Sequence, residues 1–238
     1  MADTAKITSL EKVVIRFSGD SGDGMQLTGS LFSNLSAISG NEISTFPDYP
    51  AEIRAPQGTL SGVSGYQVHV GSTKIYTPGD LADVLIAMNP AALKVNKKNI
   101  KANAIVIVDE DSFDKAGLTK AGFKTENPFE ELSMKGIQLI SCPISTMVKA
   151  SLADSEMDNK SVLRSKNMFA LGILCWLFNI PIDNAMHLIE NKFKKKPAIL
   201  HANLKVLVDG YNFGNNTHAS VSTIRIDATN MPKGTYTD

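Results

Sequence analysis

Val13-Val14-Ile15-Arg16-Phe17 is a short apolar run that stops abruptly at Ser18-Gly19-Asp20-Ser21-Gly22-Asp23-Gly24. A run of that length bounded by glycines reads as a buried strand entering a tight loop. Beyond it, Leu27, Leu31, Leu35 and Ile38 recur at helical spacing, and Gly40 supplies a C-terminal stop. Residues 13–40 therefore read as strand, glycine-rich turn and helix.

The same alternation continues outward. Glu42–Phe46 and Tyr66–Val70 are expected as strands, the second with Tyr66, Val68 and Val70 alternating against Gln67 and His69. Val84–Met88 reads as a buried strand, after which Asn89-Pro90 has the form of an N-cap followed by proline at the first helical position. That helix is expected to run to about Lys101. Ala104–Val108 and Ile137–Ile140 are further apolar strands. Continuous apolar strands separated by helices imply an α/β fold: a mainly parallel, Rossmann-like sheet covered on both faces. The C-terminal third reads as helical, with helices over 161–178, 183–193 and 197–208 and Gly210 beyond the last. Residues 1–210 are expected to form the domain. From Tyr211 the composition shifts to Asn, Gly and Pro, and 211–238 reads as a linker or terminal arm.

Composition narrows the function. The 238 residues carry 24 basic and 24 acidic side chains, are 43% hydrophobic and contain two cysteines. This is the profile of an ordinary globular chain. Zero net charge argues against a general nucleic-acid binder. Two cysteines can form neither a disulfide framework nor a four-thiolate cluster, and they read as reduced core residues of a cytoplasmic protein. Met168–Phe178, eleven residues, is the most apolar run. A membrane span needs about 18, so no membrane partner is expected. The N-terminus shows no apolar signal segment.

Three stretches are candidates for chemistry. The loop glycines are spaced G-x-x-G-x-G, which is neither the dinucleotide fingerprint nor a P-loop. A glycine loop between strand and helix still lets backbone N–H groups approach an anion at the positive end of a helix. Asp20 and Asp23 oppose a bare phosphate there, and a tight turn needing positive φ is the structural alternative. Phe46-Pro47-Asp48-Tyr49-Pro50-Ala51-Glu52-Ile53-Arg54-Ala55-Pro56-Gln57-Gly58-Thr59 opens an aperiodic segment of about twenty residues, and loops that long are usually functional or disordered. Glu52 and Arg54 are its candidate substrate- or partner-facing charges, or simply a surface ion pair. Lys94, Lys97, Lys98 and Lys101 would share one helix face, favoured by the helix dipole or serving a polyanion such as the phosphates of coenzyme A. Lys192, Lys194, Lys195 and Lys196 close another helix in the same way. The four histidines have no metal-ligand spacing.

Gly19-Asp20-Ser21-Gly22-Asp23-Gly24-Met25-Gln26-Leu27-Thr28-Gly29 together with Pro47-Asp48-Tyr49-Pro50-Ala51-Glu52-Ile53-Arg54-Ala55-Pro56-Gln57-Gly58 resembles the gamma-type domain of 2-oxoacid:ferredoxin oxidoreductases. The likeness is greatest to the fused alpha subunit of the 2-oxoglutarate enzymes. Asp83–Leu93 and Lys166–Gly172 fit as well. The resemblance implies one domain of a multisubunit enzyme for CoA-dependent oxidative decarboxylation of a 2-oxoacid, inactive alone. It implies coenzyme A contacts at Gly19, Gly22, Gly24 and Gln26 and, on the second motif, at Glu52 and Arg54. Thiamine diphosphate, magnesium and iron–sulfur clusters are implied for partner domains or subunits. The implied partners are an alpha domain (missing here or separate), a beta subunit and, through the complex, ferredoxin. The alternatives are an assembly scaffold without a ligand and a stand-alone nucleotide-dependent α/β enzyme.

Overall fold

The structure, a computed structural model, describes residues 6–52 and 55–229. In chain order the elements begin with β1 (Lys6–Ser9), β2 (Lys12–Asp20), α1 (Met25–Ile38), β3 (Glu42–Asp48) and β4 (Val63–Gly71). They continue with β5 (Ala82–Ala87), α2 (Pro90–Asn96), β6 (Ile100–Asp109), α3 (Lys115–Lys120), α4 (Pro128–Glu131) and β7 (Gln138–Cys142). The last third holds α5 (Ile144–Ser151), α6 (Asn159–Leu163), α7 (Lys166–Leu177), α8 (Ile182–Phe193), α9 (Pro197–Thr217) and β8 (Ser222–Arg225).

Six strands form one sheet in the order β3-β4-β2-β5-β6-β7. β2, β5, β6 and β7 pair in parallel, while β4 runs antiparallel to both of its neighbours. β4 alone is reversed, so the expected α/β fold with a mainly parallel sheet is what the chain adopts. Period-2 patterning marks a strand but carries no sign of its direction, so the reversal had no local signal.

Both faces are covered. Val84, Ile86 and Ile107 join the large core under α1, α7 and α9. Leu85, Ala87, Val106 and Val108 face the other way, with Ala92 and Leu93 of α2. This two-sided burial is why the central strands read as unbroken apolar runs. Arg16 interrupts one of them and is nevertheless buried. Its guanidinium donates to Asn96, Gln67 and Asp48, which satisfies a charge that would otherwise be costly inside.

Three sequence expectations change. α9 runs through Gly210 to Thr217, and β8 pairs in parallel with β1. Residues 211–225, expected within a linker or arm, are therefore largely helix and strand. Gly210 is a packing glycine and not a stop: a Cβ there would lie 2.2 Å from the carbonyl oxygen of Phe169 on α7. Gly172 faces it from α7, where a Cβ would lie 2.1 Å from the carbonyl oxygen of Leu207. Next, α2 ends at Asn96, a single 3₁₀ turn follows, and Lys101 lies on β6 paired with Asp83. The four lysines thus do not share a helix face. Lastly, β3 extends to Asp48, so the aperiodic segment is shorter than expected. Pro47 is tolerated there because β3 is an edge strand.

The glycine crossing can be tested by Gly172→Ala. Its methyl would meet backbone, which cannot rotate away, and overpacking of this kind typically costs about 1–3 kcal/mol or somewhat more. The expected result is a melting temperature lowered by about 4–10 °C. An unchanged value would mean that α7 and α9 do not approach so closely.

Candidate functional site

The glycine loop lies at the carboxyl end of β2, where the chain leaves through α1 toward β3 and β4 on one side while β5 adjoins on the other. Open α/β sheets bind ligands at such a switch point. Asn89 follows β5 there, and its side chain accepts from the Ala92 N–H at 2.9 Å to cap α2. The expected N-cap and Pro90 at the first position are both realised.

The loop is closed by its own aspartates. The Asp23 carboxylate accepts from the Asp20 N–H at 2.8 Å. Gly19 makes room for it, since a Cβ at Gly19 would lie 2.7 Å from an Asp23 oxygen. Gly24 has φ 71° and is the N-cap of α1, a left-handed position that favours glycine. A Cβ on Gly24 would also lie 2.6 Å from the Asn167 side-chain nitrogen. α1 begins with neither a side-chain cap nor an acidic residue in its first turn. Its N-terminus opens on a cavity of about 220 Å³ lined by Ser21, Gly24, Met25, Gln26, Tyr49 and Pro50, with Ser64.

Behind the loop, Lys166 at the start of α7 reaches Asp109 at 3.3 Å and Asp23 at 3.8 Å. Asp109, at the end of β6, is fully buried and also accepts from the Ser145 hydroxyl at 2.8 Å and the Ser145 N–H at 3.2 Å. Burial pushes the Asp23 carboxyl above its ordinary range despite the attraction of Lys166. Burial raises Asp20 as well, opposed by the Gly58 N–H that donates to it at 2.9 Å. The second Asp20 oxygen is buried and has no hydrogen-bond partner among the described residues. Such an orphan is a contact point for a ligand donor, or for an acceptor when Asp20 is protonated.

Of the sequence-predicted residues, Gly24 and Gln26 line the cavity. Gly19 supports the loop from beneath, and Gly22 faces Gln57. Glu52 is exposed, and its N–H donates to the Ser61 carbonyl. Arg54 lies outside the described residues, so the Glu52–Arg54 pair has no structural account. Sequence reasoning missed Lys166 and Asp109 as a pair. They are 57 positions apart, and no periodic pattern links them. Tyr49 was noted only as part of its loop; aromatic exposure beside a glycine loop was the available signal. Both cysteines are buried thiols, with Cys175 pushed up by burial to about 12. Neither has the depressed pKa of a reactive thiol.

A family profile described as pyruvate ferredoxin/flavodoxin oxidoreductase matches residues 14–213. The chain belongs to this family. It is 44% identical over 227 residues to the 2-oxoglutarate oxidoreductase subunit KorA of Mycobacterium tuberculosis, covering 95% of this chain and 35% of that protein. Among solved structures it resembles the 2-oxoglutarate:ferredoxin oxidoreductase of Magnetococcus marinus, determined with 2-oxoglutarate, coenzyme A and succinyl-CoA bound. That match has TM-score 0.71 at 29% identity, over 94% of this chain and 34% of the other. The chain thus spans about a third of the length of these two relatives. The gamma subunit of a keto/oxoacid ferredoxin oxidoreductase from Geobacter sulfurreducens shares the fold (TM-score 0.61, 20% identity), with 85% of this chain and 96% of that one covered. No helix among the described residues is long and apolar enough to cross a membrane.

The raised Asp23 pKa gives a signed expectation. A carboxyl raised in the folded state binds its proton more tightly folded than unfolded, so stability falls as pH rises from the ordinary carboxylate value through the raised one. Asp23→Asn keeps an acceptor for the Asp20 N–H and removes the buried charge. Melting scans from pH 4 to pH 8 should show the variant gaining on wild type as pH rises, with the difference narrowing toward pH 4. A difference independent of pH would contradict the assignment.

Proposed function

We infer that this chain is the gamma-type domain of a 2-oxoacid:ferredoxin oxidoreductase, that the 2-oxoacid is 2-oxoglutarate, and that the domain holds coenzyme A. The identity of 44% across 95% of the chain with a subunit named for 2-oxoglutarate carries the reading. In the complete enzyme, thiamine diphosphate, magnesium and the iron–sulfur clusters belong to partner domains or subunits: an alpha domain and a beta subunit, with ferredoxin as electron acceptor. Two buried cysteines supply too few thiolates for a four-cysteine cluster. The assembly is assigned to the cytoplasm, with neither nucleic acid nor membrane as a partner.

The residues present suit coenzyme A at the α1 cavity. The free N–H groups at the start of α1 favour a phosphate. Gln26 adds a neutral donor and acceptor, and Tyr49 offers an exposed aromatic face. The orphaned Asp20 oxygen suits an amide or hydroxyl of the ligand's uncharged arm, and the positive charges of Lys120 and Lys166 offset the negative charge of the loop. Gly19, Gly22 and Gly24 keep the loop low enough for backbone to meet the ligand, and Glu52 and Arg54 are kept as further coenzyme A contacts on the strength of the second motif alone. Bound coenzyme A supplies the thiol that accepts the acyl group. The chain's own residues bind and orient it and carry out no bond-breaking step.

Calorimetry with coenzyme A tests the assignment through Gln26→Glu. A carboxylate in the first turn of α1 would stabilise the helix by about 0.3–1 kcal/mol yet repel a phosphate. The expected result is measurable binding by wild type, and at least about tenfold weaker binding by a variant that melts no lower. The chain alone should not oxidise 2-oxoglutarate with a dye acceptor. Absence of binding at millimolar coenzyme A would favour the scaffold reading instead.

A further inference from the structure

Residue 24 is glycine for two reasons, and the second is a side chain on α7. The first is its φ of 71°. The second is Asn167: a Cβ on Gly24 would lie 2.6 Å from the amide nitrogen, 3.1 Å from Cγ and 3.4 Å from Cβ of that residue. The nitrogen is the nearest of these atoms, so the amide turns its donor end toward the N-cap of α1. An N-cap side chain is ordinarily an acceptor that occupies the first N–H groups of its helix. Here the space where such a side chain would begin is filled by a donor, and α1 starts without a side-chain cap.

The amide is held firmly in that place. Asn167 is 4% exposed. The Thr28 hydroxyl donates to the carbonyls of Gly24, at 3.1 Å, and of Asn167, at 3.5 Å. Lys166, the residue before it, ties the same turn of α7 to Asp109 and Asp23. The first turn of α7 is thereby fixed against the start of α1 from two directions. The Lys166 ammonium is shared between two carboxylates, whereas the Asn167 amide is neutral and needs no counter-charge inside the protein.

Gly24 lines the α1 cavity, and Asn167 lines the neighbouring cavity between the α6–α7 junction and α9. Asn167 therefore stands behind Gly24, and its influence on a ligand passes through that residue. The Thr28 N–H is bonded to the Gly24 carbonyl at 3.0 Å. The N–H groups of Met25, Gln26 and Leu27 precede it in the helix and belong to the unladdered first turn. A donor behind the N-cap does not compete with an anion for these groups, and its positive end adds to that of the helix.

We propose that Asn167 is a positioning residue for a phosphate of coenzyme A. It fills the space beside the N-cap, so that residue 24 stays bare backbone and the first-turn N–H groups of α1 stay open to the cavity. This role rests on the coenzyme A reading of the α1 cavity.

The test is calorimetry of the full chain with coenzyme A, from pH 4 to pH 8, on wild type, Asn167→Ala and Asn167→Asp. Alanine is the best helix former, and it removes the donor without adding charge. It should weaken binding about threefold to tenfold, the worth of a neutral hydrogen-bonding group. Asn167→Asp keeps the shape and puts an acceptor where the donor was. A carboxylate in the first turn of α7 is favoured by the helix dipole, so this variant should melt no lower than wild type. It should bind coenzyme A at least about tenfold more weakly at pH 8, and its deficit relative to wild type should narrow as the introduced carboxyl takes up its proton toward pH 4. A purely structural role gives a deficit that does not change with pH. Wild-type affinity in a folded Asn167→Ala protein, or a pH-independent deficit in Asn167→Asp, would overturn the role of Asn167 and leave the coenzyme A reading standing. Absence of binding by wild type at millimolar coenzyme A would overturn that reading and this role with it.

Discussion

The Lys166 ammonium, held between Asp23 and Asp109, ties together three parts of the chain that are far apart in sequence. These are the loop after β2, the end of β6 and the first turn of α7. Breaking a buried charge cluster by removing one member typically costs about 3–5 kcal/mol, because the remaining charges are stranded. The cluster also sets the loop. Asp23 can accept from Asp20 only where Gly19 lets it close, and that closure leaves Gly24 at positive φ as the N-cap of α1. The direction in which α1 presents its N–H groups follows from this geometry.

The helical layer obeys a second constraint. α7 is buried all round, and it reaches α9 through Gly172 and Gly210, with Gly214 of α9 beneath the Trp176 ring. Backbones this close leave no room for side chains at the crossing, so the layer acts as a rigid plate against one face of the sheet. Lys166 is the first residue of that plate. A distortion at the glycine crossing would therefore be felt at the loop, and the two constraints work as one.

The fold was largely legible because its signals are local. The apolar run Val13–Phe17, the glycine loop, the leucine spacing in α1 and Asn89-Pro90 each carry their own meaning, and each sits where it was expected. What was not legible depended on distant residues. Gly210 looked like a helix stop, yet only Phe169 on α7 explains it. Lys101 looked like a fourth stripe lysine, but pairing of β6 with β5 claimed that segment for the sheet. The reversal of β4 and the Lys166–Asp109 contact leave no pattern at any short spacing. At the candidate site, the glycine loop, Gly24 and Gln26 were named from sequence, and Gly24 and Gln26 line the cavity at the start of α1. The acidic loop residues were read as an obstacle to anions, because the lysine behind them could not be seen.

Length takes on meaning beside the relatives. This fold is about a third of the Mycobacterium and Magnetococcus chains, yet it matches nearly all of a gamma subunit that stands as a chain of its own. The same unit thus occurs within long chains and alone, as expected of a domain whose core and switch-point loop are both internal to it. On the proposed function, this loop and the start of α1 form the ligand-facing edge. The most direct measurement is amide chemical-shift mapping of the full chain titrated with coenzyme A. Saturable shifts are expected at Gly22, Gly24, Met25 and Gln26. Shifts confined to the opposite edge of the sheet, around Asn41, Asn179 and Arg225, would contradict it.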